Sequence, residues 1–193
     1  MDSVEHPKGR VIFLNGTSSS GKSSLSAELL RTFDELYFHL AVDGFNAMGA
    51  RRSDLMTEDN LDLVLRRMRR GFHRSIAAMA EGGNNVVVDH VLSEPWRLAD
   101  CLEVLAGLDV IFVGVHCPVA ELRRREAARG DRTPGMAELQ YGLVHVHGDY
   151  DLEVDTAAAS TAECAAAIRE FVARVPAGER AFDRLRARAG LSR

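Results

Sequence analysis

The sequence predicts an α/β protein with three layers, α/β/α, in which a parallel sheet of about five strands carries helices on both faces. Two observations lead to this prediction. Segments of strand character alternate with segments of helical periodicity along the 193-residue chain. The predicted strands are also continuous apolar runs, which is typical of parallel strands that are buried on both faces.

The first half of the chain supplies three strands and two helices. Residues 10–15 are β-branched and aromatic and end in a Gly/Ser loop, after which residues 23–32 have small and apolar side chains at helical spacing. Residues 37–42 form a second apolar run, and residues 85–89 a third. The long helix predicted for residues 61–80 is ended by a pair of glycines. Its apolar stripe consists of Leu61, Val64, Leu65, Met68, Phe72 and Ile76.

The second half continues the alternation up to a basic tail. Pro95 begins a helix over residues 95–105, because proline is favoured in the first helical turn. The remaining elements are a strand over 108–116, a helix over 118–129, a loop over 130–135, a helix over 136–146, a strand over 152–155 and a helix over 161–175. Residues 176–193 are rich in arginine and predict a surface helix or a partly disordered tail. No repeat or linker interrupts the chain, so we expect one domain over 1–193 with its core over about 10–175.

Composition and charge argue against several classes of function. The net charge is -4, whereas proteins that neutralise nucleic-acid phosphates are usually basic, so we expect no nucleic-acid partner. The first ten residues are polar and the apolar run over 110–115 is too short to cross a bilayer, so we expect no membrane association. Three scattered cysteines fit no metal or disulfide spacing and predict reduced thiols in the cytoplasm.

A phosphate-binding motif, G-x-x-x-x-G-K-[ST], lies between the first predicted strand and the first predicted helix. Its residues are Gly16, Thr17, Ser18, Ser19, Ser20, Gly21, Lys22 and Ser23, with Ser24 directly after them. Successive backbone N–H groups and the helix N-terminus would surround one anion. We expect Lys22 to reach the β- and γ-phosphates of ATP and Ser23 to bind Mg²⁺. A chance Gly/Ser turn is the alternative, but Lys8 is the only other lysine in the chain.

Two aspartates follow predicted strands at the sheet edge where ligands bind in such folds. Asp43 follows the second strand and Asp89 the third. A phosphoryl-transfer enzyme needs one carboxylate near the metal and one acceptor for the proton of the attacking hydroxyl. We assign Asp43 as the base and Asp89 to the magnesium side, and the reverse assignment and simple helix capping remain alternatives. Phe45 and His90 are candidates for the acceptor pocket.

Three arginines that run from the end of a predicted helix into the following loop have the spacing of one helical face. Arg125, Arg129 and Arg132 are related as i, i+4 and i+7. Arginines in such a position can stabilise the charge of a transferring phosphoryl group, and the loop that carries them can close over ATP as a lid. The alternative is a solvated basic helix end that interacts with the helix dipole.

Six segments together resemble chloramphenicol phosphotransferase and its relatives over roughly residues 11–172. They are N-G-T-S-S-S-G-K-S-S (15–24), A-V-D-G (41–44), V-V-V-D (86–89), F-V-G-V-H-C (112–117), R-E-A-A-R-G-D-R-T-P-G-M-A (125–137) and Y-D-L-E-V-D-T (150–156). The resemblance implies a P-loop kinase fold and phosphorylation of an antibiotic hydroxyl that depends on ATP and Mg²⁺. It implies Asp43 as the base, Arg129 and Arg132 on a lid near the γ-phosphate, and the segment after Asp155 and Thr156 near the adenine, with Thr156 among the residues that bind the nucleotide.

The chain departs from this family where the acceptor pocket is expected. The segment between residues 47 and 70 is shorter and more basic than in the relatives, and the paired aspartates after the third strand are here Asp89 and His90. The basic residues are Arg51, Arg52, Arg66, Arg67, Arg69 and Arg70. The acceptor is therefore open: chloramphenicol, another hydroxylated antibiotic, or an anion attracted by these arginines. The alternative is that the arginines lie on a solvated helix face.

The sequence thus predicts an ATP-dependent O-phosphotransferase that acts on a small-molecule hydroxyl, and an antibiotic acceptor is the first hypothesis. A metabolic kinase of the shikimate, gluconate or adenylylsulfate kind is the second hypothesis, since it would use the same scaffold. A regulatory nucleotide switch is the third, although the chain lacks the N-K-x-D element of GTPases. The expected partners are the small acceptor and, as an open possibility, further copies of the chain.

Overall fold

The computed structural model describes residues 7–49, 55–129, 135–175 and 178–191 and shows a five-stranded parallel sheet between two layers of helices. The strands are β1 Val11–Asn15, β2 Tyr37–Ala41, β3 Asn85–His90, β4 Val110–His116 and β5 Leu152–Asp155. The helices are α1 Lys22–Thr32, α2 Val42–Ala47, α3 Leu61–Glu81, α4 Pro95–Val104, α5 Val119–Arg129, α6 Met136–Val144, α7 Thr161–Arg174 and α8 Ala181–Arg188. The strand order is β2-β3-β1-β4-β5, and the predicted three-layer fold is confirmed.

The central strand shows why the predicted strands are apolar throughout. All five residues of β1 are buried. Val11 and Phe13 pack in the cluster that includes side chains of α3, α4 and α8, whereas Ile12 and Leu14 pack in the cluster that includes side chains of α1 and α7. Because successive side chains of a strand point to opposite faces, each face of the sheet needs its own apolar set. The two helix layers follow from this requirement.

The strand register brings the ends of β1, β2 and β3 to one edge of the sheet. Leu14 of β1 and Ala41 of β2 are both in register with Asp89 of β3. The chain enters α2 immediately after Ala41, so Asp43 lies in the first turn of a helix at this edge. Helix α2 was not predicted, because a helix of six residues is too short to show a helical period.

The predicted basic tail contains a helix that packs into the core. Ala181, Phe182 and Leu185 of α8 are buried, and the Phe182 ring lies 5.6 Å from that of Phe13 and 4.9 Å from that of Phe112, measured between centroids. The arginines of this segment have partners: Arg180 pairs with Asp109, Arg184 with Asp149, and Arg186 donates to the carbonyl of Leu102. The segment therefore differs from the surface helix or partly disordered tail expected from its charge.

Replacing Phe182 with alanine should lower the free energy of unfolding by about 3–5 kcal/mol, the usual cost of removing a buried aromatic side chain. Chemical denaturation monitored by circular dichroism measures this change. Leu191→Ala is the control, because Leu191 follows the same helix but is 36% exposed. Equal losses in the two variants would show that α8 does not contribute to the core.

None of the helices in the described parts of the chain is both long and apolar enough to span a bilayer. The three cysteines, Cys101, Cys117 and Cys164, are buried free thiols. Burial raises the pKa of Cys101 well above that of an exposed thiol, so this side chain stays protonated at neutral pH.

Candidate active site

The loop between β1 and α1 has the backbone conformation of a phosphate cradle. A Cβ atom on Gly16 would lie 2.5 Å from the carbonyl oxygen of Val115, so no larger residue fits there without displacing β4. Gly21 has a φ of 92° and Ser19 a φ of 60°, both in the left-handed region. These positions turn the loop back on itself at the N-terminus of α1, where backbone N–H groups and the helix dipole favour an anion.

Lys22 and two serine hydroxyls supply further polar groups to this loop. Lys22 is 6% exposed; its Nζ donates to the carbonyl of Thr17 at 2.7 Å and lies 3.6 Å from Asp89 Oδ1. The hydroxyls of Ser19 and Ser20 are buried and have no hydrogen-bond partner among the described residues. Buried polar groups are normally satisfied, so these hydroxyls fit a loop built around a bound ligand.

The donor set for a metal ion lies beside the loop. The Ser23 hydroxyl donates to Asp89 Oδ2 at 2.6 Å, and Asp89 is the penultimate residue of β3. A carboxylate and a hydroxyl, completed by phosphate oxygens and water, match the oxygen ligands that Mg²⁺ prefers. Ser23 and Asp89 would therefore fit a magnesium ion beside phosphates held by the loop.

Helix α6 packs beside the phosphate loop and contacts both this loop and the end of β1. The backbone N–H of Ser18 donates to Gln140 Oε1 at 2.7 Å. The amide of Asn15, at the end of β1, donates to the carbonyl of Val144 at 2.9 Å and to the Tyr150 hydroxyl at 2.8 Å. These contacts tie α6 to the central strand and to the phosphate loop. They also leave three large apolar side chains of α6 exposed beside the loop: Met136, Leu139 and Leu143.

One cavity of about 610 Å³ joins the loop to the carboxylates. The loop and α1 contribute Ser18, Ser19, Gly21, Lys22, Ser23 and Ser24. The polar lining from elsewhere is Asp43, Arg69, Asp89, His90, Ser93, Glu94, Arg97 and Gln140, and the apolar lining is Val42, Val91, Met136, Leu139 and Leu143. The structure therefore brings the predicted loop residues, Asp43, Asp89 and His90 to the same space.

Phe45 does not line this cavity, in contrast to its predicted place in the acceptor pocket. Its ring packs 5.5 Å from that of Phe72, measured between centroids, and belongs to the core on the α3 side of the sheet. Phe45 is two positions after Asp43, and side chains at that spacing on a helix point in different directions. These directions depend on α2, which is too short to be predicted from its sequence.

A second, smaller cavity of about 350 Å³ lies on the other side of the loop, and its lining includes Ser19, Ser24, Arg125 and Thr156. Arg125 donates to the Thr156 hydroxyl at 2.9 Å and to its carbonyl at 2.8 Å. The Thr156 hydroxyl in turn donates to the carbonyl of Ser20 at 2.7 Å. The end of β5 and helix α5 are thereby attached to the phosphate loop.

The predicted lid falls largely outside the described residues. Arg129 is the last residue of α5, and its side chain is not among the described groups. Arg132 lies between residues 129 and 135, beyond the described part of the chain. The roles of both arginines stay predictions.

His90 belongs to a buried series of hydrogen-bonded side chains that was not predicted from the sequence. His90 Nε2 lies 2.9 Å from His73 Nε2, and His73 Nδ1 lies 2.6 Å from Asp100 Oδ2. Burial lowers the pKa of both histidines, so both are neutral at neutral pH. Cys101 Sγ lies within 4.8 Å of one nitrogen of each histidine, but the 2.9 Å separation of the two Nε2 atoms is that of a hydrogen bond. We therefore describe the group as a hydrogen-bonded chain.

Arg69, Arg97 and Gln140 also line the cavity, and their place there was not predicted. Arg69 is one of several arginines in a basic segment, and Arg97 and Gln140 belong to no recognised motif. One sequence feature does set Arg69 apart. It lies three residues before the buried Phe72 on α3, so both side chains are on nearly the same face of the helix. No local pattern marks Arg97 or Gln140.

Comparisons with known proteins agree with the fold and with the resemblance stated above. Residues 9–173 match a family model described as "Chloramphenicol phosphotransferase-like protein". A Mycobacterium tuberculosis protein named "Putative O-phosphotransferase" is 33% identical in an alignment of 203 positions, gaps included, that covers 94% of this chain and 90% of the relative.

Two solved structures show the same fold at low sequence identity. The Mycobacterium tuberculosis APS kinase CysC, in complex with AMPPNP and APS, superposes with a TM-score of 0.65 at 21% identity, covering 86% of this chain and 99% of that one. Shikimate kinase from Acinetobacter baumannii, in complex with shikimate, superposes with a TM-score of 0.63 at 13% identity, covering 86% and 94%. At these identities the similarity concerns the fold alone.

Proposed function

Because this chain belongs to the chloramphenicol phosphotransferase-like family, we propose that it transfers the γ-phosphoryl group of ATP to a hydroxyl of a small molecule. Family and fold establish a kinase-like phosphotransferase with a P-loop. The observation that carries the finer proposal is a single cavity with Lys22, Ser23 and Asp89 at the phosphate loop and Asp43 on α2.

In this proposal the phosphate loop, Ser23 and Asp89 hold ATP and its magnesium ion. The loop N–H groups and Lys22 bind the β- and γ-phosphates, and Ser23 and Asp89 supply oxygen ligands beside them. Bound Mg²⁺ would neutralise charge on the phosphate oxygens. Lys22, which lies between the Thr17 carbonyl and Asp89, would turn toward the phosphates when they are present.

Asp43 is the proposed base for the acceptor hydroxyl. Asp89 is engaged by Ser23 and faces Lys22, which favours the metal side for that carboxylate. Asp43 is exposed to the cavity from a different element, α2, and an alcohol placed between α2 and the loop would meet both Asp43 and the γ-phosphate. Proton transfer from the hydroxyl to Asp43 would accompany formation of the new O–P bond.

Arg125, Arg129 and Arg132 remain the proposed arginine set at the nucleotide. The support for Arg125 is its direct connection to Thr156 and the Ser20 carbonyl beside the smaller cavity, where the nucleoside would lie. The proposed roles of Arg129 and Arg132, on a lid over the γ-phosphate, rest on their position in the sequence motif.

The acceptor class has two candidates. Family membership and the apolar side chains of α6 favour a hydroxylated antibiotic such as chloramphenicol, whose phosphorylation would give resistance. The arginines on the α3 and α4 side of the cavity favour a metabolic kinase that acts on a charged compound. Both candidates use the same catalytic groups and differ in the acceptor pocket alone.

Acceptor-dependent release of ADP, screened over hydroxylated antibiotics and common metabolites, tests the proposed function. A kinase should release ADP in proportion to a phosphorylated product that mass spectrometry detects. Slow hydrolysis that no acceptor stimulates, in a protein that binds ATP and Mg²⁺, would instead indicate a regulatory nucleotide switch.

A further inference from the structure

Two arginines from different helices line the part of the main cavity that lies beyond the phosphate loop. Arg69 comes from α3 and Arg97 from α4. The same region of the wall includes His90, Ser93 and Glu94. The phosphate loop already has its own cation, Lys22, so these two arginines are not needed to hold the nucleotide phosphates.

Arg69 differs from the other described arginines of its basic segment. The guanidinium carbon of Arg66 stacks 4.7 Å from the centroid of the Trp96 ring, and Arg67 is exposed outside the cavity. Arg70 pairs with Asp100 at 3.1 Å. Of the four arginines of this segment that the structure describes, Arg69 alone lines the cavity.

The Arg69 guanidinium is only partly neutralised. It donates to the amide oxygen of Asn46 at 3.1 Å, which is a neutral partner. The carboxylates of Asp43 and Glu94 attract it electrostatically from beyond ion-pair distance. No carboxylate of the described residues forms a direct ion pair with it. Burial lowers the pKa of Arg69, and the nearby charge of Arg97 lowers it further. A half-buried cation with a neutral partner has charge available for an anionic ligand.

Arg97 is held in place but keeps one donor unused. It pairs with Glu94 and donates to the carbonyl of Val91 at 3.1 Å and to the Ser93 hydroxyl at 3.2 Å. Its side chain is 14% exposed, and its Nε is buried without a hydrogen-bond partner among the described residues. These contacts fix the guanidinium at the cavity wall.

We propose that Arg69 and Arg97 form a subsite for an anionic group of the acceptor, a carboxylate, sulfate or phosphate, so that the preferred substrate is a negatively charged alcohol. The proposal rests on the proposed kinase function and names its substrate class. Arginine guanidinium groups bind such anions through paired hydrogen bonds. An uncharged acceptor would leave Arg69 with its neutral partner alone.

Sulfate binding to protein already loaded with AMPPNP and Mg²⁺ tests the subsite without requiring turnover. The nucleotide fills the phosphate loop, so that sulfate must bind elsewhere. We expect sodium sulfate to raise the melting temperature of the loaded protein in a concentration-dependent way, relative to sodium chloride at the same ionic strength. Arg69→Gln should weaken this sulfate affinity roughly 10–100-fold, the effect of losing one charge-assisted hydrogen bond.

Two further variants complete the test. Arg67→Gln should leave sulfate binding unchanged, because Arg67 is on the same helix but outside the cavity. Arg69→Lys keeps the charge and should retain part of the affinity even if Arg69→Gln folds poorly. No sulfate effect in the loaded wild-type protein, or equal effects in Arg69→Gln and Arg67→Gln, would overturn the subsite.

Binding of AMPPNP with Mg²⁺ distinguishes a failure of the anion subsite from a failure of the proposed kinase function. If AMPPNP with Mg²⁺ does not bind, the proposed function fails and the subsite fails with it. If AMPPNP binds but sulfate does not, only the subsite fails. For any acceptor found by the ADP-release screen, the acid should have a lower KM than its uncharged amide, and the reverse order would contradict the subsite.

Discussion

Replacing Asp43 with asparagine should lower turnover roughly 10²–10⁴-fold, the usual contribution of a general base. The change removes the carboxylate and preserves the size of the side chain. Affinity for ATP and Mg²⁺ should stay the same, because Asp43 belongs to α2 whereas the phosphate loop, Ser23 and Asp89 hold the nucleotide. Acceptor-dependent ADP release and calorimetric titration with ATP measure the two quantities.

Asp62→Asn is the matched control for this experiment. Asp62 is an exposed aspartate in the first turn of a helix, as Asp43 is, but it lies outside the cavity. Its replacement should leave turnover unchanged. If Asp43→Asn retained nearly normal turnover, Asp43 would not be the base, and Asp89 would have to be tested in that role.

Replacing Lys22 with methionine should lower turnover roughly 10²–10³-fold, the usual cost of removing one group that stabilises transition-state charge. Methionine has a similar length and lacks the ammonium group, which lies 3.6 Å from Asp89 Oδ1 in the structure. The affinity for ATP should fall as well, since Lys22 is proposed to contact the phosphates in the ground state. Single-turnover measurements separate the effect on chemistry from the effect on binding.

Lys8 provides an unusually clean control, because it is the only other lysine in the chain and is exposed. Lys8→Met removes the same charge from the whole protein and should change neither turnover nor ATP affinity. Equal activity of the Lys8→Met and Lys22→Met variants would show that Lys22 takes no part in phosphoryl transfer.

The sheet and the phosphate loop could be predicted because their signals are local. A strand that is buried on both faces needs an unbroken apolar run, and the segment 86–88 is such a run and is fully buried. The loop is defined by consecutive residues whose backbone conformation is set by Gly16 and Gly21. The carboxylates at the sheet edge follow from the rule that parallel strands place their ends together.

The acceptor side of the cavity could not be predicted, because it depends on how α2, α3 and α4 pack. That packing brings Arg69 and Arg97 to the same cavity, and it also places His73 within hydrogen-bonding distance of Asp100. Phe45, a predicted pocket residue, packs into the core instead, because its side chain on α2 points toward Phe72. Phe182 and Leu185 have the i, i+3 spacing of a buried helix face, but the many arginines around them favoured the prediction of an exposed segment.

A crystal structure of the protein with AMPPNP and Mg²⁺ tests the central claim most directly. The γ-phosphate should contact Lys22 and the N–H groups of loop 16–23, with Mg²⁺ bound beside Ser23 and Asp89. The Asp43 carboxylate should face the γ-phosphate across a gap that is large enough for one alcohol. A nucleotide bound away from this loop, or a γ-phosphate that Asp43 does not face, would contradict the proposed mechanism.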